Sequence, residues 1–269
     1  MRAILHALKR PECESHPERE AKSCKVPFGN RITHQKSGKG MNISQPIGES
    51  RRGTAAEEAY ERLHADIISL RLPPGSKLSE VEIAKMYDVS RQPVREAFLR
   101  LGELNLLQIR PQRATLVKRI SLQDLETTRF IRAAVEVEVI RRACQVASPE
   151  DLDLIKASLG PQKQAVEAAD TKLMHELDYA FHRLICEAAG CLPAFRTIAE
   201  NKAHTDRVCT LELSGDNGMT EILEDHTKIV EALTARDEEK AVLMTRKHLS
   251  RLDKTLSRAS EKYSEYFED

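Results

Sequence analysis

The chain has 269 residues, 41% of them apolar, 4% aromatic and 31% charged, with no Trp and a formal net charge of zero. That length predicts about two domains and buries a core without disulfide staples. No apolar run approaches the roughly 18 residues that span a bilayer, and Met1-Arg2-Ala3-Ile4-Leu5-His6 is too short and interrupted an opening for a signal peptide. The expectation is a helix-rich cytoplasmic protein with no membrane partner.

Cys13, Cys24, Cys144, Cys186, Cys191 and Cys209 show no Cys-x-x-Cys spacing and are expected to stay reduced. Charge is unevenly spread. Asp88 to Arg119 holds seven Lys/Arg against three acids, whereas Ile120 onward holds 20 basic and 28 acidic residues. That asymmetry suits a DNA-reading module joined to a module that does not touch DNA.

Residues 1–53 lack sustained periodicity and are expected to form a disordered arm. Met41 is a candidate alternative start within it, and a basic DNA-gripping arm is its functional alternative. From Thr54, the residues Tyr60, Leu63, Ile67 and Leu70 recur at helical spacing. Leu72-Pro73-Pro74-Gly75 ends that helix. Ser79-Glu80-Val81-Glu82 has the form of a capping box opening a short second helix through Tyr87.

A third helix begins at Ser90, with Pro93 in its first turn, and carries the stripe Val94, Ala97, Phe98, Leu101 and Leu104. Asn105 is a plausible left-handed cap. Leu106–Ile109 and Ala114–Val117 then predict two strands of a β-hairpin wing around Arg110-Pro111-Gln112-Arg113.

After Ser121 only helical signals remain. Six helices are expected, at roughly 121–147, 149–168, 171–189, 192–213, 217–235 and 237–260. The predicted fold class is mainly α: a winged helix-turn-helix of three helices plus wing over 54–119, an all-α bundle over 120–260, and a tail over 261–269.

The third helix has the properties of a recognition helix. Its apolar stripe faces the core, while Arg91, Gln92 and Arg95 project from the other side. Arg grips guanine through a bidentate fork and Gln pairs with adenine. Ser90 at the helix N-terminus suits a phosphate, and Arg113 at the wing tip suits a phosphate or the minor groove. Taken alone, such arginines would equally be a solvated helix face; the neighbouring turn and basic wing tip the balance.

Leu72-Pro73-Pro74-Gly75-Ser76-Lys77-Leu78-Ser79-Glu80 and Val89-Ser90-Arg91-Gln92-Pro93-Val94-Arg95-Glu96-Ala97 carry a specific resemblance. Residues 57–119 resemble the N-terminal domain of the GntR family of bacterial regulators. The resemblance implies dimeric binding to palindromic double-stranded operators, with DNA contacts at Arg91, Gln92, Arg95 and the wing. Val81 stands where the family often has a DNA-touching Arg. Asn105 and Ala114 replace usual glycines.

In the second module Asp178 and His182 lie four apart on one helix face, and His226 and His248 sit on the last two helices. Antiparallel packing would bring them together as a site for Zn2+, Ni2+, Mn2+ or Fe2+ with open positions. A carboxylate four residues before a His is also common on helix surfaces. Residues 125–250 resemble the FCD domain, the effector domain of the FadR subfamily of GntR regulators. The resemblance is carried by Arg132-Ala133-Ala134-Val135-Glu136, Asp178-Tyr179-Ala180-Phe181-His182, Asp225-His226 and Arg246-Lys247-His248-Leu249. It implies that Asp178, His182, His226 and His248 are metal ligands, and that the effector is a small organic or sugar acid. Asp225 replaces a more usual Glu, and Cys191-Leu192-Pro193 departs from the usual Asn-Pro. Arg132 is the candidate partner for the acid, or else a plain i,i+4 ion pair with Glu136. The count of six helices favours the shorter, VanR-like branch.

The expected function is a homodimeric transcription repressor, not an enzyme, whose operator binding is set by an acid at a metal site. A metal-responsive regulator is one alternative. A metal-dependent hydrolase is another, disfavoured by the lack of a nucleophile motif or paired general base.

Overall fold

The computed structural model describes residues 54–110, 113–212 and 218–268. The expected disordered arm with its alternative start, Pro111-Gln112 of the wing, and most of the Ser214–Gly218 break lie outside the described residues.

The N-terminal unit begins with α1 (Ala55–Ile68), capped by the Thr54 side chain, which accepts from the Glu57 amide at 3.2 Å. The helices α2 (Glu80–Tyr87) and α3 (Arg91–Glu103) follow, then β2 (Leu107–Gln108) and β3 (Thr115–Val117). Ser79 and Ser90 sit at the N-caps of α2 and α3, but neither side chain makes a capping hydrogen bond. The capping box expected at Ser79 is therefore not formed. Asp88 (φ 55°) and Asn105 (φ 61°) take the left-handed conformation that ends α2 and α3.

One strand was not foreseen. β1 (Lys77–Leu78) pairs antiparallel with β3, so the sheet has order β1-β3-β2, with Leu78 opposite Thr115 and Leu107 opposite Val117. Two residues are too few for alternation to show in a sequence. Leu63, Ile67, Val94, Phe98, Leu101 and Leu106 form the core of this unit.

The second unit is all helical among the described residues: α4 (Leu122–Val146), α5 (Pro149–Ala157), α6 (Leu159–Glu167), α7 (Thr171–Ala188), α8 (Pro193–Glu212), α9 (Gly218–Thr234), α10 (Glu238–Ser250) and α11 (Leu252–Lys262). Two of the six expected helices are each broken into a pair. The first breaks at Ser158, just ahead of Gly160-Pro161, where proline removes a helical N–H. The second breaks at Arg251, whose side chain turns back to bind Asp225 and Glu221. The number of helices therefore carries no argument for the shorter branch. Ile140, Phe181, Ile185, Ile198, Ile229 and Leu233 fill the bundle core.

The two units are packed together. Ala203 of α8 lies in the core of the winged unit. A third apolar cluster of Ile120, Leu125, Val208, Leu211, Leu252 and Phe267 seals their junction. Residues 261–269 were expected to be a tail. Instead, residues up to Glu268 dock on the interdomain linker: the Ile120 amide donates to Tyr266 O at 2.8 Å, and the Glu268 amide donates to Ile120 O at 2.9 Å. Phe267 is the buried apolar anchor that drives this docking. Phe267→Ala should cost about 3–5 kcal/mol of stability, the usual loss on truncating a buried Phe, measured by urea unfolding. A loss near zero would mean the segment is only loosely laid on the surface.

Candidate functional site

The α3 helix buries Val94, Ala97, Phe98 and Leu101 against α1 and exposes the opposite face. Arg91 and Arg95 stand on that face, their side chains 60% and 54% exposed. One carboxylate holds both. Glu80 Oε2 lies 3.2 Å from a terminal nitrogen of each arginine, and Glu80 Oε1 accepts from Arg95 Nε at 3.2 Å. Hydrogen bonds from both guanidinium groups, Arg95 first, lower the Glu80 carboxyl. Gln92 donates to Glu96 at 3.0 Å. Arg113 is exposed on the wing. Ser90, Arg91, Gln92 and Arg95 thus share one helix end. Sequence reasoning did not single out Glu80, because its partners lie 11 and 15 residues away.

Within the bundle, α7 supplies Asp178 and His182, α9 supplies His226 and α10 supplies His248. One ligand atom from each lies within 4.8 Å of all the others. His226 Nε2 is 3.3 Å and His182 Nε2 is 3.8 Å from Asp178 Oδ1. The outward nitrogens of His182 and His226 are engaged. His182 Nδ1 lies 2.7 Å from Glu136 Oε2, and His226 Nδ1 lies 2.7 Å from Gln162 Oε1. His248 Nδ1 faces Asp225 Oδ2 at 3.9 Å. The Nε2 atoms of His182 and His226 are buried without a hydrogen-bond partner. Buried orphan nitrogens turned towards one carboxylate are what a divalent ion would satisfy.

The electrostatics keep His226 and Asp178 in ligand form. Burial lowers His226 to about 4, and the nearby Asp178 carboxylate only partly opposes this. Burial alone would raise Asp178, but the Lys202 ammonium, with His226 and His182, holds it well below the usual carboxylate range. Lys202 lies 2.8 Å from Asp178 Oδ2 and 2.6 Å from Asp206 Oδ1. Lys202 and Asp206 were missed by sequence reasoning; their i,i+4 spacing was the only signal. Arg132 donates to Glu136 at 2.9 Å and to Thr205 Oγ1 at 3.1 Å. The i,i+4 ion pair left open from the sequence is therefore formed, and it is buried. A cavity lined by Glu136, His182, Ile198, Ile229 and Thr245 adjoins the histidines.

A winged helix presenting two arginines, joined to a helical bundle with a polar centre, defines a DNA-binding regulator with a helical second domain. Residues 55–117 match the family "Bacterial regulatory proteins, gntR family", and residues 128–251 match the FCD domain. The HTH-type transcriptional repressor RspR of Escherichia coli K12 is 33% identical over 229 residues, spanning 85% of this chain and 97% of RspR. A probable D-xylose utilization operon transcriptional repressor of Paenarthrobacter nicotinovorans is 30% identical over 191 residues, 71% of this chain and 83% of that protein. The solved E. coli McbR/YncC has the same fold, with a TM-score of 0.68 at 20% identity, covering 79% of this chain and all of that one. The chain belongs to the GntR family of transcriptional regulators, with a C-terminal FCD domain. It is a regulator and not an enzyme, which overturns the hydrolase alternative. Among the described residues no helix is long and apolar enough to cross a membrane.

A histidine with a depressed folded value binds its proton more readily in the unfolded chain. The stability contributed by neutral His226 is therefore complete above about 6.5 and is lost as pH falls towards about 4. Metal-stripped protein should lose thermal stability across that window, and His226→Gln should flatten the slope. An unchanged slope in the variant would assign the effect to another group.

Proposed function

We propose that this protein is a homodimeric repressor acting in the cytoplasm, whose hold on operator DNA is set by a small carboxylic or sugar acid bound at a metal site in the bundle. The winged unit is assigned to residues 54–119 and the sensing unit to residues 120–260. The observation that carries the sensing reading is the set of inward-facing, unpaired imidazole nitrogens around Asp178. Asp178, His182, His226 and His248 would hold the ion, with Zn2+, Ni2+, Mn2+ or Fe2+ suited to this donor set. The ion supplies a Lewis-acidic anchor for a carboxylate. Arg132 is the cation placed to receive the acid's charge, at the expense of its Glu136 partner. The names of the two repressors above support repression as the output, and the D-xylose operon of one is in keeping with a sugar-derived signal.

On the DNA side, Ser90 is assigned to phosphate, Arg91, Gln92 and Arg95 to base edges, and Arg113 to the wing contact. Half-sites at fixed spacing make binding sensitive to how the two winged units of a dimer are held. A second reading makes the ion itself the signal. It is favoured by Lys202, which already engages Asp178 and must be opposed when a cation arrives.

Arg91→Ala or Arg95→Ala should weaken binding to operator DNA selected from random sequence by about 1–3 kcal/mol each, with the fold intact. Equal binding by either variant would remove that arginine from the interface. Elemental analysis of purified protein should find one transition-metal ion per chain, absent from the His226→Ala/His248→Ala double variant. In a thermal-shift screen a carboxylic acid should stabilise loaded protein and have no effect after chelation. A double variant with full metal content would end the assignment.

A further inference from the structure

We infer that α8 is the mechanical link between the bundle's polar centre and the winged unit, and that Arg207 is the positioning residue that ties the interdomain linker to it. This rests on the reading of the histidine cluster as a regulatory metal site.

Consecutive turns of α8 face two ways. Lys202, Thr205 and Asp206 look into the bundle, onto Asp178, Arg132 and His175 respectively. Ala203, Arg207 and Thr210, at i, i+4 and i+7, form the neighbouring stripe and look onto the winged unit. Ala203 lies in that unit's core. Thr210 Oγ1 lies 3.0 Å from Ile68 O, at the end of α1, and 2.9 Å from Asp206 O in its own helix, so the two carbonyls share its one proton, and the Arg207 guanidinium donates to Lys118 O, one residue past β3. The α8 helix therefore grips the winged unit at two points, the end of its first helix and the end of its last strand. Lys118 and Ile120 are also held by Glu268 and by the docked C-terminal segment.

Arg207 is an unusual residue to bury. It is 2% exposed, its Nε has no hydrogen-bond partner, and no carboxylate lies in contact with it among the described residues. Burial pushes it down to about 10, with only the field of Glu268 opposing. An unpaired buried cation is a poor stability device, since an apolar side chain of similar volume would usually serve as well or better. Its guanidinium makes one directed contact across the domain junction, and that contact is what a methionine would lack.

The trigger, Lys202, lies earlier on the same helix. Lys202 binds the carboxylate oxygen of Asp178 that faces away from the histidines. A divalent cation among the histidines would repel the ammonium and weaken that pair. Helices move as rigid bodies, so a displaced Lys202 shifts Arg207 and the Lys118 carbonyl with it.

The test is hydrogen exchange on the full chain, zinc-loaded against EDTA-stripped, in the native protein, Arg207→Met and Thr210→Val. In the native protein, zinc should change exchange in α9 and α10 and, by about 5-fold or more, the lower end of ordinary allosteric coupling, in residues 64–70 and 116–121. In Arg207→Met the α9 and α10 changes should persist while those at 116–121 disappear. Thr210→Val, which removes only a hydroxyl, should lose the response at 64–70 and guards against a fold defect in the first variant. Zinc changes confined to α9 and α10 in the native protein, or a junction response surviving in both variants, would overturn the link. No change in α9 and α10 would instead end the metal reading, and the proposed trigger with it.

Discussion

Charge buried in the middle of a helical bundle is the constraint around which the second domain is arranged. Arg132, Glu136, Asp178, Lys202 and Asp206 are all nearly inaccessible to water. Each such ion loses several kcal/mol of hydration, and only close partners return it. The pairing runs Arg132 to Glu136 to His182, and Asp206 to Lys202 to Asp178. It requires α4, α7 and α8 to sit in one register, because a rotated helix would leave a buried charge without its partner. Burial that would neutralise these groups is outweighed by their neighbours, so Asp178, Glu136 and Asp206 all remain well below the usual carboxylate range. Apolar replacements could hold such a bundle equally well. The network is therefore not something the fold needs for its stability.

The histidines obey the same logic at finer scale. The hydrogen bond made by one imidazole nitrogen sets whether the other can face a metal. Here Glu136 and Gln162 take the Nδ1 atoms of His182 and His226. Phe181 stacks on His226 at 3.9 Å between ring centroids and seals its other side. The apolar stacking partner and the lowered proton affinity of His226 have one origin, exclusion of water. Asp225 faces His248 Nδ1 at 3.9 Å, beyond hydrogen-bond reach, and is itself fixed by Arg251, whose Nη2 donates to Asp225 Oδ1 at 2.9 Å. The break between α10 and α11 at Arg251 is thus part of the site's support.

Much of this was legible in advance, for identifiable reasons. The stripe from Val94 to Leu101 and the turn residues Asp88 and Asn105 are local signals, and local signals survive folding. The winged unit and the helical bundle follow from them. Asp178 and His182 were visible because i,i+4 spacing is local too, and His226 and His248 because a family pattern linked them. What stayed hidden depends on distant parts of the chain meeting: β1 on β3, Glu80 on Arg91 and Arg95, Lys202 on Asp178, Gln162 on His226, and Phe267 on Ile120. Nothing in the local sequence marks Phe267 as anchored, because Ile120, with which it forms a β-bridge, lies far back along the chain at the interdomain linker.

The two ion-pair systems differ in depth, and the difference suits their tasks. Glu80 holds Arg91 and Arg95 parallel on a surface where water and salt already weaken the attraction. Exposed pairs of this kind contribute little, typically under about 1 kcal/mol, so a phosphate or guanine edge would displace the carboxylate at small cost. Until then it keeps two long side chains from sampling every rotamer, which would lower the entropy lost on binding DNA through them. The same arrangement buried would be a trap, since breaking a buried pair strands a charge. Lys202 sits in that trap. Only another charge delivered to the same place, such as a divalent ion beside Asp178, is strong enough to unsettle it.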